Sequence, residues 1–261
     1  MPAQVRLRAQ SPQREPASND GVLLAGVTRI YRDDRGAAVQ ALAGVSLAVA
    51  HGEVLAVVGP SGCGKTTLLE LICCLQAPDA GTIACAPAVL MPQRDLLLPW
   101  LSAAENAALA LRVAGCSRSQ ARARASALFE ELGLGGFEDA RPQELSGGMR
   151  QRVAFLRTLL AGKPVLCLDE PFGALDAITR GEMQGWLSQA LARAPRTVVL
   201  VTHDVEEAIV LGDRIAVLSP RPGRVIEELE VDLPRPRART DAEVGSLRER
   251  ALLALGMAKR T

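Results

Sequence analysis

Apolar and polar positions alternate with a period of two over GVLLAGVTRIY (21–31) and again over AVQALAGVSLAVA (38–50), which predicts two strands. Asp33-Asp34-Arg35-Gly36 between them is turn chemistry. EVLAVVGP (53–60) is a continuous valine-rich run, the pattern of a strand buried on both faces. KTTLLELICCL (65–75) switches to helical spacing. A turn at Pro78, Asp79 and Gly81 leads into a short strand pair, TIACAP and AVLMPQ, running to Gln93. From Leu101 to about Leu134 the pattern is alanine-rich helix, and Ser117 with Gln120 has capping-box spacing that opens a helix QARARASALFEELGL. Strands return at PVLCLDEP (164–171), TVVLVTH (197–203) and RIAVLSP (214–220), with helices over about 177–193 and from near Asp204. Strands alternating with helices predict an α/β fold on a mostly parallel sheet with right-handed crossovers.

The two ends differ from this pattern. Residues 1–20 are polar, contain three prolines and read as a mobile tail. From Pro234 the chain is rich in Arg and Pro and then weakly helical, so 236–261 reads as a short C-terminal tail. Composition narrows the function classes. Hydrophobic residues are 48% and charged residues 23% of 261, which places the chain among globular proteins. A net charge of +1 and 3% aromatics argue against a nucleic-acid partner read by base stacking. The longest uncharged run is about 17 residues, 36–52, short of a membrane span, and the start of the chain has no apolar core of a secretory signal. The six cysteines contain no CxxC pair, so reduced thiols rather than zinc ligands or disulfides are expected.

Chemistry enters at Gly59-Pro60-Ser61-Gly62-Cys63-Gly64-Lys65-Thr66, which matches GxxxxGK[ST] between a predicted strand and a predicted helix. Such a loop turns backbone N–H groups toward phosphate oxygens at a positive helix end. Lys65 can bridge the β- and γ-phosphates and Thr66 can bind Mg²⁺, with Thr67 completing the set. VLCLDE (165–170) is an apolar strand ending in two carboxylates. Asp169 can hold Mg²⁺, and Glu170 can act as general base or orient a water in line with the γ-phosphate. Leu145-Ser146-Gly147-Gly148-Met149-Arg150-Gln151-Arg152 offers a second phosphate cradle at a capped helix start. One site hardly needs two cradles, so a dimer in which each chain's second cradle closes the other's site is the economical hypothesis.

These segments resemble the ABC-type ATPases, in which LSGGMRQR looks like the signature. Tyr31, GPSGCGKT, Gln93, LSGGMRQR, LCLDEP, Ala174-Leu175-Asp176 and Thr202-His203-Asp204 follow in the family's order over about residues 22–235. The resemblance implies a P-loop NTPase with an antiparallel β subdomain and a helical subdomain at about 96–150, within an ATPase domain over 21–235. It implies that Tyr31 stacks on adenine. Gln93 would touch Mg²⁺ or the attacking water and sense a membrane partner. Ser146, Gly147 and Gly148 would bind the γ-phosphate held by the opposite subunit. Asp176 would organise the dimer interface, and His203 would contact the γ-phosphate.

The stretches 96–115, 171–180 and 221–237 further resemble the nitrate/sulfonate/taurine importer group, which includes importers of thiamine-precursor pyrimidines; the stretch from Lys65 to Gln93 is shorter than that pattern. The implied protein is an ATP- and Mg²⁺-dependent homodimeric subunit, peripheral on the inner face of the membrane. Permease subunits would be its direct partners, and a solute-binding protein an indirect one. Leu96, Leu97, Leu98 and Trp100 suit a docking surface, or equally a buried one. Cys63 sits at a helix start that can lower its pKa, and its alkylation is expected to block nucleotide binding. Two other readings are an ABC ATPase driving lipid extraction or envelope remodelling, and a nucleotide sensor without hydrolysis.

Overall fold

The polar tail 1–20 lies outside the residues that this computed structural model describes, which are 21–235, 237, 239 and 241–256. Two sheets divide the strands. The first is antiparallel, in the order β2 (Ala38–Val49), β1 (Val22–Arg32), β4 (Ala80–Cys85). The second has six strands in the order β5 (Ala88–Met91), β6 (Val165–Asp169), β7 (Thr197–Thr202), β3 (Val54–Val58), β8 (Arg214–Leu218), β9 (Val225–Glu230). All its neighbours are parallel except β8 and β9. The fold is α/β, as the alternation predicts. Every residue of β3, β6 and β7 is buried, the signature of central parallel strands covered on both faces.

The strand pair predicted between Pro78 and Gln93 is not a pair. TIACAP joins β1 in the antiparallel sheet and AVLMPQ joins β6 in the parallel one. The two runs differ in burial: β4 is largely exposed, whereas β5 is half-buried and ends in a fully buried Met91. Helix α1 (Lys65–Ile72) is shorter than 65–75 because Cys73 caps it and Cys74 turns to φ +56°. The alanine-rich stretch breaks into α2 (Ala103–Ala107), α3 (Leu109–Val113) and α4 (Arg118–Ser126), followed by a 3₁₀ turn at Glu130–Leu132. Ser102 with Glu105, and Ser117 with Gln120, form full capping boxes, and Gly115 takes a left-handed φ between them. Helix α4 stops before Leu134 because the tightened turn brings Phe129, Leu132 and Leu134 into one core.

Helices α5 (Gly147–Leu160) and α6 (Ala177–Arg193) cover one face of the parallel sheet. There Phe155 packs on Phe172 at 6.0 Å and edge-on to Trp186 at 5.8 Å. On the other face α1 lies between the two sheets, where Leu68, Leu69 and Leu71 meet Leu24, Leu42, Leu55 and Val57. Helices α7 (Val205–Leu211) and α8 (Ala242–Ala254) pack against Ala56, Val58, Ile215 and Val217. Strand β9 has no counterpart in the sequence pattern, and the weakly helical stretch expected after Pro234 forms α8, which docks with Val244 and Ala251 buried rather than trailing as a tail. No helix among the described residues is long and apolar enough to cross a membrane.

Candidate nucleotide site

The C-terminal ends of β3, β6 and β7 lie side by side, and each runs directly into a motif. Val58 leads to the 59–64 loop, Asp169 to Glu170, and Thr202 to His203. This is the edge at which open parallel sheets bind ligands. Gly64 stands at φ +102°, and a Cβ there would lie 2.7 Å from Leu42 Cδ2 and 2.9 Å from the Ala41 carbonyl oxygen. Only glycine lets the loop press against β2 and still deliver Lys65 to the first turn of α1. Lys65 Nζ donates to the carbonyls of Gly59 at 2.8 Å and Pro60 at 3.1 Å, so its ammonium is held inside the loop.

A cleft of about 320 Å³ is lined by Tyr31, Ser61, Gly62, Gly64, Lys65, Thr66, Thr67, Gln93, Asp169, Glu170 and Arg221. At one end the Tyr31 hydroxyl bonds to Gln76 at 2.9 Å and lies 3.3 Å from Thr67 Oγ1, with the Arg29 guanidinium 5.0 Å from the ring centroid. On the floor Thr66 Oγ1 donates to Asp169 Oδ2 at 2.8 Å. Burial raises the Asp169 carboxyl above its ordinary value, and the Thr66 bond offsets part of that rise. At the far end Gln93 Nε2 donates to Glu170 Oε2 at 2.9 Å, and His203 Nδ1 lies 3.2 Å from Glu170 Oε1. Glu170 holds φ +47°, a conformation side chains rarely adopt, while its N–H donates to Val201 at 2.8 Å. Gln93 and His203, far apart in sequence, therefore converge on the Glu170 carboxylate.

The second cradle lies elsewhere. Ser146 caps α5 by accepting from the Met149 N–H at 3.2 Å, and Gly147 lines a separate cleft with Gln93, Arg94, Asp95, Leu96 and Arg150. A Cβ on Gly148 would lie 3.1 Å from Leu175 Cδ2, so the following loop packs closely over it. Asp176 caps α6, accepting from the Thr179 hydroxyl at 2.7 Å and from the Ile178 and Thr179 N–H groups. The Thr179 side chain leads in holding that carboxyl below its ordinary value.

The ABC transporter family matches residues 42–173. The aliphatic sulfonates import ATP-binding protein SsuB 1 of Rhodococcus jostii is 43% identical over 91% of this chain and 94% of its own length. The chain belongs to the ABC transporter family. The formylaminopyrimidine import ATP-binding protein ThiZ of Halalkalibacterium halodurans is 43% identical over 76% of this chain and 81% of its own. The taurine import ATP-binding protein TauB of Burkholderia pseudomallei is 42% identical over 80% and 84%. Among solved structures, the dimeric post-hydrolysis state of the ATP-binding cassette MJ0796 bound to ADP and Pi has a TM-score of 0.74. It is 31% identical to this chain, over 82% of this chain and all of that one.

Within this ABC cassette, Thr66 and Asp169 supply hard oxygen donors, which suit Mg²⁺. Among the described residues no group of three or more His, Cys, Asp or Glu can hold a metal. One expectation needs correction, and the structure decides another that the sequence left open. Burial pushes the Cys63 thiol up rather than down, outweighing Lys65, and the side chain is only 1% exposed. Leu97 is buried at 8%, whereas Leu96 and Trp100 are exposed at 58% and 65%. Asn106 explains the split. Its buried amide bonds to backbone groups of Leu98, Leu101 and Ser102, while Arg157 donates to the carbonyls of Asp95 and Leu96, so the loop turns Leu97 in and Leu96 out. The sequence pattern also passes over Gln76, Arg221 and Glu207. None of them lies in a nucleotide-binding motif, and only the folded chain brings them to this edge.

Proposed function

We propose that the chain is the ATP-hydrolysing subunit of a binding-protein-dependent importer of a small solute, of the sulfonate, taurine, nitrate or thiamine-precursor pyrimidine kind. The observation that carries this is the meeting of Gln93 and His203 on Glu170 at the mouth of the phosphate-loop cleft. Relatives named for import of aliphatic sulfonates, taurine and formylaminopyrimidine support the solute class.

In this reading the 59–64 backbone and Lys65 hold the phosphate chain, and Tyr31 faces the base. Thr66 and Asp169 would hold Mg²⁺, which would supply positive charge to offset that of the phosphates. Glu170 accepts the proton of a water that attacks the γ-phosphorus as the bond to the β-phosphate oxygen breaks; Gln93 and His203 orient that water. Ser146, Gly147 and Gly148 do not line their own chain's phosphate-loop cleft, which suits a head-to-tail homodimer in which they meet the partner's γ-phosphate and Asp176 lies at the interface. Closure then depends on a ligand shared by both chains, and hydrolysis removes it. The exposed Leu96 and Trp100 beside Gln93 suit a permease segment, which would hold the subunit on the cytoplasmic face of the membrane. Residues 21–235 form the ATPase domain, with a helical subdomain at 96–150 carrying the signature.

The test is a tagged Glu170→Gln variant extracted from host membranes with ATP and mild detergent. The expected result is lost turnover, retained ATP binding, an ATP-dependent dimer and a co-purifying polytopic membrane protein. Turnover equal to that of the parent would remove Glu170 from the chemistry. A dimer with no membrane partner would sink the importer assignment and favour a process other than import.

A further inference from the structure

The turn between β8 and β9 reaches the phosphate loop from a stretch to which the sequence reading gave no nucleotide role. Gly223 pairs with β2: its N–H donates to Ala41 at 2.8 Å and its carbonyl accepts from Ala43 at 3.0 Å. A Cβ on Gly223 would lie 2.2 Å from the Cys63 carbonyl oxygen, so the turn rests directly on the phosphate-loop backbone. Ser219 ties the turn internally, donating to Pro220 and Pro222 and accepting from the Arg224 N–H at 3.1 Å. This frame presents Arg221, whose Nε donates to the Gly62 carbonyl at 3.0 Å. No carboxylate pairs with Arg221 among the described residues, and it lines the same cleft as Lys65 and Thr66.

We propose that Arg221 is a second phosphate-facing cation of this site, anchored by Nε to the Gly62 carbonyl while its terminal NH₂ groups donate to the phosphate chain of the bound nucleotide. The inference rests on the nucleotide reading of the cleft. A guanidinium carries five donors in a planar fork, so one bond to the loop leaves others free for phosphate oxygens. Lys65 is held by the Gly59 and Pro60 carbonyls on the inner side of the loop. Arg221 approaches through Gly62, whose added Cβ would lie 3.3 Å from its Nη2. The two cations thus reach the loop by separate routes. The contact binds ground and transition states alike, so it acts on affinity more than on turnover.

The experiment compares the parent with Arg221→Gln and Arg221→Lys, by calorimetric titration with MgADP and by ATP turnover. Arg221→Gln should raise the MgADP Kd and the ATP KM about tenfold, with kcat within about twofold. Arg221→Lys should regain at least half of that loss on a logarithmic scale. The gap between parent and Arg221→Gln should narrow in 1 M NaCl, as expected for a charge contact. A Kd within twofold of the parent overturns the proposal. So does a loss that lysine does not restore and salt does not narrow, because that marks loop positioning alone. Arg221→Met repeats the test if the glutamine variant does not fold. A parent that fails to bind MgADP sinks the nucleotide reading and this proposal together; a parent that binds while Arg221→Gln is unaffected sinks this proposal alone.

Discussion

Glu207 contributes stability that is lost as pH rises. It lies on α7, is buried, and accepts a bond from the Thr202 hydroxyl at 2.9 Å, while its other carboxylate oxygen has no hydrogen-bond partner among the described residues. Burial is the largest cause of a pKa raised from 4.5 to about 7; Asp204 adds to it, and the Thr202 bond, Arg180 and His203 oppose it. A folded-state pKa above the unfolded one means that the native state holds the proton more tightly. The stabilisation is full below about pH 4.5 and is lost as pH rises through about 7. A difference of roughly 2.5 units corresponds to about 3 kcal/mol, of which about 2–3 kcal/mol lies between pH 5 and pH 8.

Glu207→Gln keeps an oxygen for the Thr202 hydroxyl and cannot ionise. Urea unfolding of parent and variant at pH 5, 6, 7 and 8 isolates this group together with its interactions with Asp204 and His203, because the groups that do not face it titrate alike in both. The variant should gain about 2–3 kcal/mol on the parent between pH 5 and pH 8. Parallel stability profiles would refute the claim that Glu207 is desolvated in the native state.

Other consequences follow from burial and packing. Cys63 should react with a small alkylating reagent far more slowly than the exposed Cys74, and peptide mapping of briefly labelled native protein should find Cys74 first. Equal labelling of both would contradict the buried thiol. Phe155→Ala removes a ring packed against Phe172 and Trp186, and should cost roughly 3–5 kcal/mol in urea unfolding. Trp100→Ala should leave the stability and ATP turnover of the isolated chain within about twofold while reducing recovery of the membrane partner, because its side chain is exposed. Unchanged recovery would remove Trp100 from the docking surface.

The site motifs were legible because each is local. A glycine-rich loop between a valine strand and a helix is written in consecutive residues, as are the carboxylates that end β6 and the histidine after β7. What was not legible depends on contacts across the sheet. TIACAP and AVLMPQ look like two halves of a hairpin, yet β4 completes the outer sheet and β5 the inner one. The four leucine and tryptophan positions after Gln93 have no period, and Asn106 and Arg157 decide which face outward. For Cys63, the helix start and Lys65 pull its pKa down, but closure of β2 and the β8–β9 turn over the loop desolvates it more strongly.

Read as a string, the chain already specifies an α/β fold, the succession of strands from β1 to β8 and a phosphate-binding loop followed by paired carboxylates. Hydrophobic period and short motifs depend only on neighbours within a few residues, and a string records those. The meeting of Gln93, Glu170 and His203, the approach of Arg221 to Gly62 and the desolvation of Glu207 join residues up to 159 positions apart. Such distances close only when parallel strands stack in register and their ends share one edge, so tertiary packing alone settles them.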